Sequence, residues 1–215
     1  RPRRAEATVA TSPRRRTTRP APFRASPFDV VEASHRAWLE RWDEDAAAGN
    51  AVVTSILRAH QLLAHQVDEV LRPHGLTATD HQILSWLAAA PGSALPLSRI
   101  SAVLRVPPAT VTNVIDRLEA DRLLRRVAHP TDARTTLAEI TGRGRRTAHA
   151  ATVDLNDRVY RPLALDADER DRVVDLLQRL RARGGEFDAG RSDDLIDRLD
   201  SDRAGGDRLT GPAGP

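Results

Sequence analysis

The sequence predicts a mainly α-helical protein in which a helix-turn-helix is followed by a two-stranded β-hairpin. Three observations predict this class. Apolar residues recur at the helical period of 3.6 residues in several segments between residues 28 and 183. Two short helical segments meet at a tight turn near Arg105, and two short apolar segments flank a polar hexapeptide at 129–134.

Two helices are predicted before residue 75. The first covers 28–47, where large side chains recur at spacings of four, three and four: Val31, His35, Trp38 and Trp42. Gly49–Asn50 is predicted to break this helix, with Asn50 capping a second helix over 51–72. Pro73 and Gly75 are predicted to end that second helix.

A third helix and a helix-turn-helix follow. Thr77 and Asp80 are spaced as a capping box, and Pro91–Gly92 ends the helix that they begin. The next two helices are predicted over 97–104 and 108–121. The second has an apolar face of Val111, Val114, Ile115 and Leu118, and a polar face of Ala109, Thr110, Thr112, Asn113, Asp116 and Arg117. An ordinary helical hairpin is the alternative for these two helices.

A hairpin and two helices complete the predicted fold. Strands are predicted over 124–128 and 135–140, with a basic tip between them. Thr141 begins a helix that runs to about residue 160. Asp166 and Glu169 are spaced as a capping box for a last helix that runs to about residue 183.

The charge is unevenly distributed along the chain. All 33 basic residues are arginine, and residues 97–146 hold ten of them against five acidic residues. Residues 28–96 hold four arginines against nine acidic residues. A basic module within an acidic frame is typical of nucleic-acid binding. The chain has no cysteine, which excludes disulfides, thiolate zinc sites and cysteine nucleophiles.

The two ends are predicted to be disordered tails. Residues 1–27 form a basic, proline-containing segment, and residues 184–215 form an acidic segment rich in Gly and Asp. No apolar run approaches the roughly 18 residues that a membrane span needs, and the N-terminus lacks the apolar core of a signal peptide. We therefore expect a cytoplasmic protein that has no membrane partner, associated with the bacterial nucleoid if the basic module binds DNA.

Three motifs resemble the MarR family of winged-helix transcription factors. Asp132-x-Arg134 followed by Ile140-Thr141-x-x-Gly144 is similar to the wing signature of that family. Residues 111–119 resemble its recognition helix, and residues 71–77 resemble the junction before its third helix. The resemblance covers about residues 28–183, and the N-terminal helix with Trp38 and Trp42 is similar to a urate-responsive subgroup.

The resemblance implies a winged helix-turn-helix with N- and C-terminal dimerisation helices and a two-stranded β wing. The DNA-binding module would span about 76–146, and the dimerisation helices would span 28–72 and 142–183. The implied function is a homodimeric repressor that binds a pseudo-palindromic operator in double-stranded DNA and is released by a small molecule. The residues expected at the DNA are Pro108, Thr110, Thr112, Asn113, Arg117, Asp132 and Arg134. Arg117 has an alternative role as the ion-pair partner of Asp121, four residues along the helix.

A small aromatic or anionic effector is expected in a pocket between the dimerisation helices and the winged module. The candidate lining residues are His35, Trp38, Trp42, His60, His81 and Gln82. Helix packing is the alternative role for the two tryptophans, and a partly buried polar contact is the alternative for each histidine. Where the urate-responsive subgroup places a ligand-associated aspartate, this chain has Gln82, which makes an anionic urate-type ligand less certain. No cofactor is expected.

The turn after the recognition helix departs from the family pattern. Arg122 stands where the family usually has a glycine, and an arginine there would cost about 1 kcal/mol of stability or require a different helix cap.

Three other classes of function are alternatives to the ligand-responsive repressor. A metal-responsive regulator is one alternative, although His60 and His65 are five residues apart and miss the spacing that places two ligands on one helix face. An effector-independent architectural DNA-binding protein is another. An enzyme is not expected, since the chain has no phosphate-binding loop and no nucleophile motif.

Overall fold

The computed structural model describes residues 26–105, 107–129 and 134–187. These residues form seven α-helices and three β-strands: α1 (Val30–Leu39), α2 (Glu44–Leu71), α3 (Ala78–Ala89), β1 (Ala94–Pro96), α4 (Leu97–Leu104), α5 (Pro108–Ala120), β2 (Leu124–Ala128), β3 (Thr136–Ile140), α6 (Gly142–Leu155) and α7 (Ala167–Arg183). The predicted mainly α-helical class with a helix-turn-helix and a wing is confirmed. The predicted tails, apart from residues 26–27 and 184–187, lie outside the described residues, as does Asp132.

The chain divides into two compact units, Arg1–Leu62 and Leu63–Pro215. In the first unit the predicted helix boundaries are wrong. α1 ends at Leu39 and α2 begins at Glu44, where the Asp43 carboxylate accepts a hydrogen bond of 2.8 Å from the Ala46 amide. Because this cap begins the new helix early, Gly49 and Asn50 lie inside α2. The Asn50 side chain accepts a hydrogen bond of 3.2 Å from the Ser34 hydroxyl instead of capping a helix.

The second unit contains a three-stranded antiparallel sheet in the order β1-β3-β2. The two strands of the wing lie where the sequence predicts them, with Arg125 opposite Glu139. The third strand, β1, was not predicted. It pairs with β3 and places Leu95 opposite Ala138. Three residues are too few for an alternating pattern to be visible in the sequence, and the strand exists because β3 offers a free edge.

The core of the second unit lies between α3, α5, α6 and the sheet. Its largest fully buried side chains are Leu71, Ile83, Leu84, Leu87, Val111, Ile115, Leu118, Leu124 and Leu155. Full burial of one such side chain stabilises the fold by about 1.5–3 kcal/mol. The predicted apolar face of α5 is confirmed, because all four of its members are buried. This packing determines which side of α5 faces outward.

The chain reverses direction sharply after α5. Arg122 has a positive φ of 59°, its amide donates to the Glu119 carbonyl at 2.9 Å, and the Leu123 amide donates to the Leu118 carbonyl at 2.9 Å. This pair of bonds is a Schellman motif, and the buried side chains of Leu118 and Leu123 accompany it. The arginine therefore adopts the left-handed conformation that a glycine would adopt more readily.

The wing joins α6 at a tightly packed junction. The Thr141 hydroxyl accepts a hydrogen bond of 3.0 Å from the Gly144 amide and donates to the Arg122 carbonyl at 2.8 Å. A Cβ atom at Gly144 would lie 1.9 Å from the Leu123 carbonyl oxygen. The glycine of the Thr-x-x-Gly motif is therefore required by close approach of two backbone segments. α6 then continues into one wider turn of π-helix over Asn156–Tyr160, close to the predicted end at residue 160.

Candidate nucleic-acid interface

The outward face of α5 carries short polar side chains. Thr110, Thr112 and Asn113 are exposed, while the opposite face is buried in the core. Residues of this size and chemistry are suited to hydrogen bonding with base edges, because they offer donors and acceptors on short side chains held by a rigid helix. The structure therefore places these three predicted contact residues on one accessible surface.

The N-terminus of α5 is held by two prolines and a left-handed residue. Arg105 ends α4 with a φ of 50°, and the exposed Pro107 and Pro108 lead into α5, where a missing N–H costs no helical bond. The Thr112 hydroxyl donates to the Pro108 carbonyl at 3.0 Å. In this conformation its proton is used within the helix, which leaves the oxygen lone pairs and the methyl group on the outer face.

Arg117 pairs with Asp80 and not with Asp121, so the predicted intrahelical alternative is wrong. Its guanidinium donates to Asp80 Oδ1 across 37 positions of sequence, joining α5 to the start of α3. The other oxygen of Asp80 accepts from the Thr77 amide at 2.9 Å in the predicted capping box, which is confirmed. Within the described part of the chain, Asp80 is the charged residue that is buried, with 1% of its surface exposed. The Arg117 side chain is half exposed.

Arg126 on β2 connects the wing to α5. Its amide donates to Glu119 Oε1 at 2.9 Å, and its guanidinium donates to Asp116 Oδ1 at 2.6 Å and to Glu119 Oε2. The amide and guanidinium of Arg126 hold the pKa of Glu119 below its ordinary value. These contacts lie across the turn at Arg122. Sequence reasoning did not identify them, although an acidic pair on α5 followed by an arginine on a returning strand was available as a signal.

Arg125 faces the other side of the wing. It forms two hydrogen bonds, of 3.1 and 2.9 Å, with the Glu139 carboxylate on the paired strand, and this contact lowers the pKa of Glu139. Arg117, Arg125 and Arg126 are thus three of the ten arginines of the basic module that pair with carboxylates inside the fold. The positive charge available for an external anion is smaller than the sequence count indicates.

The tip of the wing is described in part. Arg134 is exposed and lies two residues before β3. The carbonyl of the intervening Thr135 accepts a hydrogen bond of 3.1 Å from the His129 amide. Residues 130–133 lie outside the described part of the chain, so the expected orientation of Arg134 by Asp132 stays a prediction. The wing and the polar face of α5 belong to the same compact unit.

A groove in the second unit contains two of the predicted ligand-binding residues. Its volume is about 560 Å³, and it is lined by Val67, Leu71, Ala78, His81, Gln82, Ser85, Trp86, Ala89 and Tyr160. His81 and Gln82 contribute polar atoms to walls that are otherwise mainly apolar. Burial, and secondarily the neighbouring His74, lowers the pKa of His81.

The other four predicted ligand residues, His35, Trp38, Trp42 and His60, lie in the first unit. The rings of Trp38 and Trp42 lie 6.0 Å apart at an angle of 37°, and both are exposed. The Nε2 atom of His35 is buried without a hydrogen-bond partner among the described residues. Within the described ranges, no three histidine or acidic side chains converge as metal ligands would. None of the helices seen there is both long and apolar enough to cross a bilayer.

Comparison with known proteins agrees with this architecture. Residues 74–135 match the MarR family. The chain is 33% identical over 87 residues to the HTH-type transcriptional regulator MhqR of Bacillus subtilis (strain 168), a match that covers 40% of this chain and 59% of MhqR. The chain therefore spans less than two thirds of the length of this curated relative.

Two solved structures share the fold over most of their length. Sco5413, a MarR family transcriptional regulator from Streptomyces coelicolor, is 38% identical with a TM-score of 0.59, covering 66% of this chain and 98% of that chain. Sco3205 from the same organism, solved in complex with DNA, is 23% identical with a TM-score of 0.56, covering 67% of this chain and 90% of that chain. From the helix-turn-helix, the wing and these likenesses together, the chain belongs to the MarR family of transcriptional regulators, which are not enzymes.

Proposed function

We propose that this chain is a homodimeric, sequence-specific DNA-binding repressor that a small-molecule effector releases from its operator. The observation that carries the proposal is the outward face of α5, where Thr110, Thr112 and Asn113 stand exposed on a helix whose other side is buried. In the proposed complex α5 enters the major groove, and these side chains contact base edges.

Two arginines are proposed to contact the DNA, one from α5 and one from the wing. Arg117, half exposed and anchored by Asp80, reaches a base or a phosphate at the C-terminal part of α5. Arg134 enters the minor groove from the wing, where narrow A·T stretches have a strong negative potential. Asp132 orients Arg134 by a charge-assisted hydrogen bond. Pro108 sets the angle at which α5 meets the duplex.

A second copy of the chain would complete the DNA-binding unit. Exposed apolar residues on α7 support a dimer: Val173, Val174, Leu176, Leu177 and Leu180. The first unit likewise exposes Phe28, Trp38, Leu39, Trp42, Val53 and Leu57. Surfaces of this kind are uncommon on monomers and typical of interfaces. In the proposed dimer the two α5 helices are spaced about one turn of DNA, roughly 10 bp, apart.

The proposed effector site is the groove beside His81 and Gln82. An effector that binds more tightly when the two α5 helices are wrongly spaced for DNA would shift the population of dimers away from the DNA-binding state. Asp80, which immediately precedes His81 on α3, holds Arg117 of α5. This proximity supports communication between the groove and the DNA-binding helix.

A gel-shift titration with the intergenic DNA that flanks the gene tests the proposal. We expect a discrete complex, a footprint of about 20 bp with two-fold symmetry, and a loss of on the order of tenfold or more in affinity when Thr112 and Asn113 are both replaced by alanine. Alanine at the exposed Thr136 of β3 is the matched control. Absence of any shift at low salt would overturn the proposal.

The same titration separates the alternatives. Broad protection with no defined palindrome would indicate the architectural DNA-binding protein. Loss of the shift after chelation, restored by zinc, would indicate the metal-responsive regulator. Light scattering should give a dimer mass, and aspartate at both Leu176 and Leu180 should yield a monomer with weakened operator binding, because charges would then occupy the apolar face of α7.

A further inference from the structure

The groove that lies beside His81 lacks a permanent cation. Of the nine described residues that line it, none is arginine, in a chain whose 33 basic residues are all arginine. Its polar side-chain groups are uncharged or titratable: the His81 imidazole, the Gln82 amide, the Ser85 hydroxyl, the Trp86 indole N–H and the Tyr160 phenol. A carboxylate that leaves water for such a site loses its hydration without gaining an opposite charge, which is unfavourable. The groove is therefore unsuited to a permanently anionic ligand unless His81 itself takes up a proton.

The hydrogen bonds around His81 determine which ring nitrogen carries the proton. Thr152 on α6 uses its single hydroxyl proton to donate to the Ala148 carbonyl at 2.8 Å. Its oxygen lies 2.9 Å from His81 Nε2 and can only accept there. The Ser85 hydroxyl lies farther from Nε2, at 3.5 Å, and its oxygen can accept from the same N–H. The shorter contact with Thr152 therefore assigns the proton to Nε2, and in the neutral ring Nδ1 carries the lone pair.

Nδ1 is the atom that remains for a ligand. It has no hydrogen-bond partner among the described residues, and unlike Nε2 of His35 it is not sealed from solvent. The ring is partly buried in a wall of the groove. A neutral imidazole in this tautomer has one hydrogen-bond acceptor, Nδ1, and an acceptor requires a donor from the ligand.

The surroundings of His81 favour the neutral ring over the charged one. Burial, followed by the adjacent His74, lowers its pKa. The Asp154 carboxylate on α6 is within 2.7 Å of His74 Nε2, so its hydrogen bond is committed to His74. On α3 the Asp80 carboxylate is committed to Arg117 and to the Thr77 amide. Neither of these two carboxylates is hydrogen-bonded to His81, so neither stabilises a charged ring.

We propose that the groove selects an uncharged aromatic ligand carrying a hydroxyl that donates to His81 Nδ1, and discriminates against ligands whose polar group is a carboxylate. This inference rests on the proposed effector site. It narrows the expected effectors, which are small aromatic or anionic molecules, to neutral molecules that donate a hydrogen bond. Val67, Leu71 and Trp86 provide apolar walls for the ring. A carboxylate ligand binds here with uptake of one proton by His81, so its affinity depends on pH.

Two probes that differ in this one group test the proposal: para-cresol and para-toluate. Between pH 5.5 and 8 the phenol stays neutral and the carboxylate stays ionised. Phenylalanine at Trp38 and Trp42 in the full chain leaves Trp86 as the single tryptophan, so fluorescence titration reports on the groove. At pH 8 we expect para-cresol to bind on the order of tenfold more tightly than para-toluate.

The pH dependence and two variants at Thr152 sharpen the test. We expect para-toluate binding to strengthen as the pH falls to 5.5, with proton uptake visible in calorimetry in two buffers. Para-cresol affinity should not strengthen over the same range, because a protonated His81 offers no acceptor to its hydroxyl. Thr152→Val frees the tautomer of His81 and should shrink the preference for para-cresol, whereas Thr152→Ser should retain it. A variant that merely loosened packing would weaken both probes alike.

Equal or tighter binding of para-toluate at pH 8 overturns the inference, as does failure of both probes to bind at millimolar concentration. The effector role is tested apart from the ligand class by repeating the gel shift with para-cresol. Para-cresol binding that is tighter than para-toluate binding at pH 8, without any change in operator affinity, would support the ligand class assigned to the groove. The same result would contradict release by a ligand in that groove.

Discussion

Asp80 and Arg117 form an ion pair between the start of α3 and the DNA-binding helix α5. The carboxylate is buried and satisfied on both oxygens, by the Arg117 guanidinium on one and by the Thr77 amide on the other. The guanidinium is half exposed, so it retains contact with water. The two partners therefore differ in what their removal leaves behind.

We expect Arg117→Gln to destabilise the fold by about 1–3 kcal/mol, because it leaves a buried carboxylate without its cation. Loss of the ion pair in Asp80→Asn should lower the free energy of unfolding by less, because water can hydrate the half-exposed Arg117 that remains. Urea unfolding of both single variants and the double variant gives the coupling free energy, which should exceed about 0.5 kcal/mol. Arg179→Gln, which breaks an exposed i, i+4 pair with Asp175, is the control and should change stability by less than about 0.5 kcal/mol.

The two glycines that begin α6 should respond oppositely to alanine. At Gly144 a Cβ would lie 1.9 Å from the Leu123 carbonyl oxygen, so Gly144→Ala should cost about 1–3 kcal/mol or more by forcing the backbone apart. At Gly142 the nearest contact is the flexible end of Arg146 at 3.6 Å, so Gly142→Ala should be neutral or stabilising by up to about 1 kcal/mol. Thermal unfolding measures both, and equal effects would contradict the packing described at this junction.

Arg122 occupies a backbone position at which glycine is preferred. With φ at 59° in the Schellman motif, Arg122→Gly should stabilise the protein by about 1 kcal/mol, since glycine has no Cβ to strain there. Arg122→Ala is the matched control, because it removes the charge and retains the Cβ, and it should leave stability nearly unchanged. Denaturant unfolding midpoints distinguish relief of backbone strain from loss of charge. If Arg122→Ala stabilised the protein as much as Arg122→Gly, the gain in stability would come from removal of the charge.

Acid should loosen the contact between the wing and α5. The amide and guanidinium of Arg126 hold the pKa of Glu119 below its ordinary value of 4.5. A carboxyl with a depressed folded-state pKa contributes stability above its unfolded value, and this contribution is lost as the pH falls through the folded value. We therefore expect the unfolding free energy to decline below pH 4.5, and to decline less in Glu119→Gln. Glu40→Gln, at the exposed end of α1, should leave the profile unchanged.

The salt dependence of operator binding should show which wing arginines neutralise DNA charge. Each neutralised phosphate contributes about 0.9 to the slope of log K against log salt. An arginine in the minor groove lies between two phosphate backbones, so Arg134→Ala should reduce that slope by about 0.9 and weaken binding. Arg125→Ala should leave the slope unchanged, because Arg125 is committed to Glu139. Loss of slope in the Arg125 variant would show that the cross-strand pair opens on DNA.

Local signals allowed much of the fold to be predicted. The Thr77 capping box, the apolar face of α5 and the two wing strands each depend on residues within a few positions, and all three are observed. The boundary between α1 and α2 could not be predicted in the same way. The cap at Asp43 competes with the weak break at Gly49–Asn50, and propensity alone does not rank two signals of similar strength.

The sequence by itself determined the order of elements, the basic character of residues 97–146 and the polar face that α5 exposes, because periodicity, caps and charge are properties of neighbouring residues. Only the tertiary structure decided which arginines pair with carboxylates inside the fold. Arg117 pairs with Asp80, 37 positions away, and Arg126 bridges from β2 to α5. These contacts exist because packing of the core brings those surfaces together. The same packing brings Thr152 of α6 against His81 of α3. This contact determines which ring nitrogen of His81 carries the proton and which can accept a hydrogen bond.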